Sequence, residues 1–157
     1  MAHVRDATYH NQATLYETDF HAWAFEQAKL IQQKRWQELD TLNLMEEIES
    51  LGKQQREQLE NRLAVLLGHL LKWDLQPQLR TKSWKATIRE QRRAVQKLIA
   101  KNPSLKPYLP EAISDGYTAG MDLVVRETPL DYKDLPKECP FTIEQIFDST
   151  FPVGIEA

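Results

Sequence analysis

The feature that most constrains the fold of this chain is an apolar repeat of helical spacing in segment 40–77. Large apolar residues recur there at steps of four, three, four and three, which places them on one face of an α-helix. The segment is predicted to form one very long helix near 40–75, or two helices joined at Gly52, because glycine weakens a helix interior. The repeat, which we name the leucine stripe and expect to be buried, consists of Leu59, Leu63, Leu66, Leu70 and Trp73.

The ends of this long helix also have sequence signals. Asp40 or Thr41 is expected to cap its start, because a short side-chain oxygen accepts hydrogen bonds from the free N–H groups of the first turn. Pro77 is expected to end it, because the residue before a proline disfavours helical backbone. Upstream of the leucine stripe the apolar repeat continues less regularly, through Leu42, Met45, Ile48 and Leu51.

Similar spacing predicts three more long helices and a short one, and no stretch alternates with the period of a strand. The predicted fold class is therefore all-α, a bundle-like single domain of about four main helices plus a short C-terminal helix. The polar N-terminus is predicted to be a mobile arm. The predicted ranges are 1–13 for the arm, 14–157 for the domain, and 19–34, 83–101, 110–127 and 142–148 for the remaining helices.

Composition excludes several classes of protein. The 157 residues include 20 basic and 23 acidic residues, and this net charge of −3 argues against a protein that binds nucleic acid over its whole surface. The single cysteine, Cys139, excludes an intrachain disulfide and a multi-cysteine zinc site, and we predict no cofactor and assign no metal site. There is neither a signal-peptide pattern nor an apolar run that would span a membrane. We expect a soluble cytoplasmic protein without a membrane partner.

Charge is distributed unevenly along the chain. Residues 80–101 hold eight basic residues and one acidic residue, a net charge of +7, whereas residues 38–60 hold seven acidic and two basic residues, a net charge of −5. Basic residues along one helical face can contact phosphates. Alternatively, this face is solvated or pairs with the acidic segment, within one chain or across a homodimer. The candidate binding residues are Arg80, Lys85, Arg89, Arg92 and Arg93, with Trp73 and Trp84 beside them.

Three of these candidates have a competing interpretation. Arg92 lies nearest the apolar edge of its helix, so it is alternatively expected to reach inward to a glutamate. Trp73 and Trp84 flank the turn after the long helix, together with Lys72 and Arg80. They could line a small anion pocket near a helix N-terminus, or they could simply pin a helical hairpin through aromatic packing.

The candidate catalytic residues are Glu46, Glu47, Glu49 and His69. Three carboxylates within one helical turn could bind a divalent cation or act as general acid and base. Such a cluster is more often a solvated first turn, where negative charge suits the helix dipole, or a partner of the basic third helix. His69 lies about 35 Å beyond Glu46 on a straight helix. The two could meet only if the chain folds back at Gly52, and a hydrogen-bonded core histidine is the simpler interpretation.

An ordered series of short motifs carries a family likeness. LYETDFHAW, LDTLNLMEEIESLG, HLLKW followed by QP, then SW and TI with a downstream Arg92, and CPFTIEQIFD lie between residues 15 and 152. This series resembles the domain-of-unknown-function 29 family of bacterial, notably cyanobacterial, proteins. The resemblance implies an all-helical domain and supplies no activity. The chain departs from the pattern at Lys34, where a small residue is expected in the turn after the first helix.

Two functional hypotheses follow. The first is a non-enzymatic helical binding or regulatory module whose basic third helix meets nucleic acid or an acidic protein partner. The second is a metal-dependent hydrolase or nuclease that uses the glutamates and His69. We favour the first because no complete catalytic set is visible, and whether the chain is an enzyme stays open.

Overall fold

The computed structural model of the protein describes residues 15–156, a range that contains helices and connections but no strand. The all-α class, the four main helices and the short C-terminal helix are therefore confirmed. The predicted mobile arm, 1–13, lies outside the described residues. The main elements are α1 (Phe20–Gln32), α2 (Thr41–Leu75), α3 (Lys82–Lys101), α4 (Leu109–Glu127) and α5 (Ile143–Phe147).

The chain divides into two compact units, Met1–Lys53 and Gln54–Ala157. The boundary falls within α2, which is one continuous helix and is not broken at Gly52. An added Cβ at Gly52 would meet no atom within 4 Å, so neighbouring residues alone sustain the helix there. A single domain over 14–157 stays a prediction. None of the helices in the described range has the length and apolarity needed to cross a bilayer.

In the first unit, a buried polar network joins α1 to the start of α2. The indole N–H of Trp23 donates to Asp40 Oδ2 at 3.1 Å, and the backbone N–H of Asp40 donates to Gln27 Oε1 at 2.9 Å. Asp40 also caps α2 as predicted, because its Oδ1 accepts from the backbone N–H of Asn43. The upstream continuation of the leucine stripe is not core, since Leu42, Met45, Ile48 and Leu51 are 57–65% exposed.

Lys34, where the family pattern predicts a small residue, lies in the turn that ends α1. Its N–H donates to the Ile31 carbonyl, and the N–H of Arg35 donates to the Leu30 carbonyl, which together form a Schellman motif. Lys34 has a φ of 58° at the left-handed position of this motif, where glycine is usual. The helix consequently ends at Gln32, slightly before the predicted 34.

In the second unit, the leucine stripe forms the centre of the core, as predicted. Its four leucines are fully buried and Trp73 is 5% exposed. They pack in one cluster with residues of α3, α4 and α5, which include Ile88, Val95, Ile113, Tyr117, Val124 and Ile146.

Glycines allow α2 and α4 to approach closely in this unit. An added Cβ at Gly120 would lie 2.9 Å from the Ala64 carbonyl oxygen, and one at Gly116 would lie 3.0 Å from Leu63 Cβ. Gly68 of α2 faces Gly120 at similar range, with 3.0 Å from its added Cβ to the Gly120 oxygen. The backbones are therefore in direct contact, as the four-residue spacing of glycines in α4 allows.

Candidate functional site

The third helix presents cations on the side opposite its packed face. Its buried residues include Ile88, Val95 and Leu98, so this face is held in the core of the second unit. The opposite side carries cations at steps of three and four residues, all exposed except the half-buried Lys85. We name this set the basic stripe, which consists of Lys82, Lys85, Arg89, Arg93, Lys97 and Lys101.

Two arginines of the basic stripe have no ion-pair partner in the part of the chain that the structure describes. The ion pairs there join Arg35 to Glu38 and Lys72 to Glu127. The guanidinium groups of Arg89 and Arg93 are therefore available to an external anion.

Arg92 differs from its two neighbours because it is buried, with 4% of its surface exposed. Its Nε donates to the Ile146 carbonyl at 2.7 Å, and its Nη2 donates to the Gln145 carbonyl at 3.2 Å. Both carbonyls belong to α5, where the last turn leaves carbonyls without helical partners. The expectation that Arg92 reaches inward to a glutamate is thus wrong about the partner, because backbone carbonyls take that place.

One nitrogen of Arg92 stays unsatisfied. Its Nη1 is buried and has no hydrogen-bond partner among residues 15–156. Burial lowers the pKa of Arg92, and the carboxylate of Asp148 acts in the opposite direction. A buried guanidinium N–H without an acceptor is unusual, since buried polar groups are nearly always paired.

The three arginines meet at a cleft of about 630 Å³, which we name the arginine cleft. One wall comes from α3 and the other from residues 143–156, which we name the C-terminal segment. Sequence reasoning selected the arginines but missed the second wall, because no periodicity connects α3 to a segment about fifty residues later. The lining residues are Arg89, Arg92, Arg93, Gln96, Phe147, Ser149, Ile155 and Glu156.

Trp73 and Arg80 anchor the C-terminal segment and the turn after α2. The indole N–H of Trp73 donates to the Val153 carbonyl at 3.2 Å. The Arg80 guanidinium lies 5.0 Å from the centre of the Trp73 ring, and its Nε donates to the Trp73 carbonyl at 2.8 Å. Both candidate binding residues, Trp73 and Arg80, are thus engaged in contacts within the chain.

Trp84 contacts a buried lysine that joins three helices. The Lys72 ammonium lies 4.4 Å from the centre of the Trp84 ring and 2.5 Å from Glu127 Oε2. The same ammonium hydrogen bond lowers the pKa of Glu127. The neighbouring His69 has its Nδ1 2.8 Å from the Val65 carbonyl oxygen, and burial lowers its pKa. This arrangement is the one expected if the tryptophans pin the hairpin.

The candidate catalytic residues occupy both units. Glu46 and Glu49 are exposed in the first unit, and Glu47 there accepts a 2.6 Å hydrogen bond from Tyr16, which raises the Tyr16 pKa to about 12. His69 belongs to the second unit. Within residues 15–156, no three or more His, Cys, Asp or Glu side chains are grouped as a metal site. The hydrolase or nuclease alternative stays a prediction.

Comparison with known proteins identifies the family. The family model described as "Domain of unknown function DUF29" matches residues 15–152, which is nearly the whole chain. Comparison of the chain with curated proteins and with solved structures gave no match. The family likeness inferred from the motifs is thus confirmed, and its description assigns no activity.

Proposed function

We propose that this chain, which belongs to the domain of unknown function DUF29 family, is a helical binding module whose basic stripe meets a polyanion in the cytoplasm. The polyanion is nucleic acid in our first choice and an acidic protein surface in the second. The observation that carries this proposal is the basic stripe, whose Arg89 and Arg93 have no ion-pair partner in the described range.

The geometry of α3 supports binding to an extended anion. The buried face of α3 fixes the helix in the core. Its backbone therefore needs little further ordering when a partner binds to the exposed side. From Lys82 to Lys101 the basic stripe is about 28 Å long at 1.5 Å per residue, enough to meet several phosphates of one strand or duplex. The acidic net charge of the whole chain would confine contact to this face.

The test measures binding of fluorescent mixed-sequence DNA and RNA by anisotropy over a series of salt concentrations. We expect affinity to fall with salt at a log–log slope of about −0.9 per phosphate contact on duplex DNA. The variant Arg89→Glu/Arg93→Glu should lose binding. The matched control Lys106→Glu/Lys133→Glu makes the same charge change at two exposed residues of the second unit outside α3. This control should retain most of the binding.

Each result separates the alternatives. Absence of salt-sensitive binding by the wild type refutes the nucleic-acid proposal, and titration with poly-glutamate then tests the acidic partner. Circular dichroism must show that the double variant is folded. If it unfolds while the control does not, the arginines stabilise the protein and the proposal fails.

We also propose that a second copy of the chain covers the exposed apolar row at the start of α2. Leu42, Met45, Ile48 and Leu51 are at least 57% exposed and lie within one half of the helix surface. An antiparallel pair centred between Met45 and Ile48 would set this row of one copy against the same row of the other, so one patch serves both copies. Ile48→Glu should shift the protein to monomer in light scattering, whereas the control Leu79→Glu should not. A wild type that is monomeric at all concentrations refutes this proposal.

A further inference from the structure

We infer that the arginine cleft binds a phosphate group, and that the bound phosphate ties the C-terminal segment to α3. This inference rests on the proposed function, because Arg89 and Arg93 belong both to the basic stripe and to the cleft. It adds a defined ligand chemistry and a structural response to that function.

Arg92 has one nitrogen without an acceptor among residues 15–156. Two of its nitrogens are engaged with carbonyls of α5, while Nη1 is buried without an acceptor in the described range. Because Arg92 lines the cleft, an anion oxygen bound there would supply the acceptor that this nitrogen lacks. Charge-assisted hydrogen bonds from a guanidinium to phosphate are about twice as strong as those between neutral groups.

The charge and size of the cleft also suit a phosphate group. Three guanidinium groups line it, against one lining carboxylate, Glu156, and the nearby carboxylate of Asp148. The lining side chains alone carry a net charge of +2, which a doubly charged phosphate matches better than a single carboxylate, and Asp148, outside the lining, reduces the surplus to +1. The cleft volume of about 630 Å³ is typical of sites for small organic ligands. Phe147 and Ile155 add apolar lining, so a phosphate attached to a nucleoside fits this chemistry.

The C-terminal segment, which forms one wall of the cleft, contains only a short helix. The helix α5 has five residues, too few to be stable in isolation, so the C-terminal segment depends on its contacts with the rest of the unit. A ligand that touches both walls binds only when the segment is docked, and it stabilises the docked state by mass action. Occupancy of the cleft should therefore slow local opening of the C-terminal segment.

The experiment measures hydrogen exchange of the full chain by mass spectrometry, with adenosine 5′-monophosphate, inorganic phosphate or a single-stranded oligonucleotide as probe. Adenosine, which lacks the phosphate, is the control ligand. At ten times its dissociation constant, a probe that binds only the docked state should slow exchange in the C-terminal segment by about tenfold. The amides to follow are those of Asp148, Phe151 and Ile155, which donate to carbonyls of the segment itself.

Two variants keep the test specific. Arg93→Gln removes an exposed guanidinium of the cleft without disturbing the bonds of Arg92, and it should abolish the slowing. Lys97→Gln, which neutralises an exposed cation on the same helix outside the cleft lining, should preserve it.

The outcomes distinguish the sources of phosphate and separate the inference from the proposed function. Slowing by the mononucleotide or free phosphate supports a small-molecule site, and slowing by the oligonucleotide alone supports a phosphate of a strand. Equal slowing by adenosine overturns the assignment to phosphate. Salt-sensitive oligonucleotide binding without slowed exchange overturns the inference but leaves the proposed function intact. Slowing by the mononucleotide without any oligonucleotide binding supports the inference and refutes nucleic-acid binding as the proposed function.

Discussion

Replacing Gly120 with alanine should destabilise the second unit, whereas the same replacement at Gly52 should stabilise the chain. An added Cβ at Gly120 would lie 2.9 Å from the Ala64 carbonyl oxygen and 3.1 Å from the Gly68 nitrogen, and neither backbone atom can rotate away. Overpacking of this kind costs about 1–3 kcal/mol. The better helix propensity of alanine offsets about 1 kcal/mol. Because the obstacles are backbone atoms, we expect a net loss of about 1–2 kcal/mol.

At Gly52 only the propensity effect operates, since nothing lies within 4 Å of an added Cβ. We expect a gain of about 1 kcal/mol. Urea unfolding followed by circular dichroism gives both changes, and thermal midpoints should move in opposite directions by about 2–4 °C per kcal/mol. Gly116→Ala should behave like Gly120→Ala, because its closest approach is 3.0 Å. A stable Gly120→Ala protein with an unchanged or higher midpoint would refute the close crossing of α2 and α4.

Three further predictions concern stability and are measured in the same way. Leu66→Ala should cost about 2–5 kcal/mol as a fully buried large-to-small change, and an unchanged midpoint would place the leucine stripe at a surface. Lys34→Gly should stabilise by about 1 kcal/mol by relieving the left-handed φ of 58°, whereas Lys34→Ala should not; a loss with glycine would contradict that backbone conformation. The lowered pKa of Glu127 means that its stabilising effect is present above the usual glutamate pKa and is lost as pH falls through the lowered value. The stability difference between wild type and Glu127→Gln should therefore be present at neutral pH and diminish in acid, beginning below the usual glutamate pKa of about 4.3, and a difference that persists at the acid end would exclude the ion pair as its source.

The helices and the core were predictable because they depend on local spacing. The leucine stripe has the spacing of a helix and not of a strand. Its burial was expected because it forms a continuous apolar face. The inward direction of Arg92 was also accessible, since it lies at the apolar edge of α3. The apolar row upstream also had helical spacing, though a less regular one, but it proved exposed, because spacing specifies a face and not what covers it.

The partners of the site residues were not predictable from spacing. Glu127 lies 55 residues after its partner Lys72. The Ile146 carbonyl lies 54 residues after its partner Arg92. Such pairs depend on how helices are brought together, and a backbone carbonyl has no sequence signature. The second wall of the arginine cleft was missed for this reason, although the arginines themselves were identified by their charge.

Each compact unit contains a buried tryptophan that serves as an optical probe. Trp23 is 2% exposed in the first unit and Trp73 is 5% exposed in the second, and each indole N–H is hydrogen-bonded inside its own unit. Indole fluorescence shifts to longer wavelength when the ring enters water. Variants that keep one of these tryptophans, with the other three changed to phenylalanine, would report the unfolding of one unit at a time. Coincident transitions would mean that the continuous α2 makes folding cooperative across the chain, and separated transitions would mean that each unit melts alone.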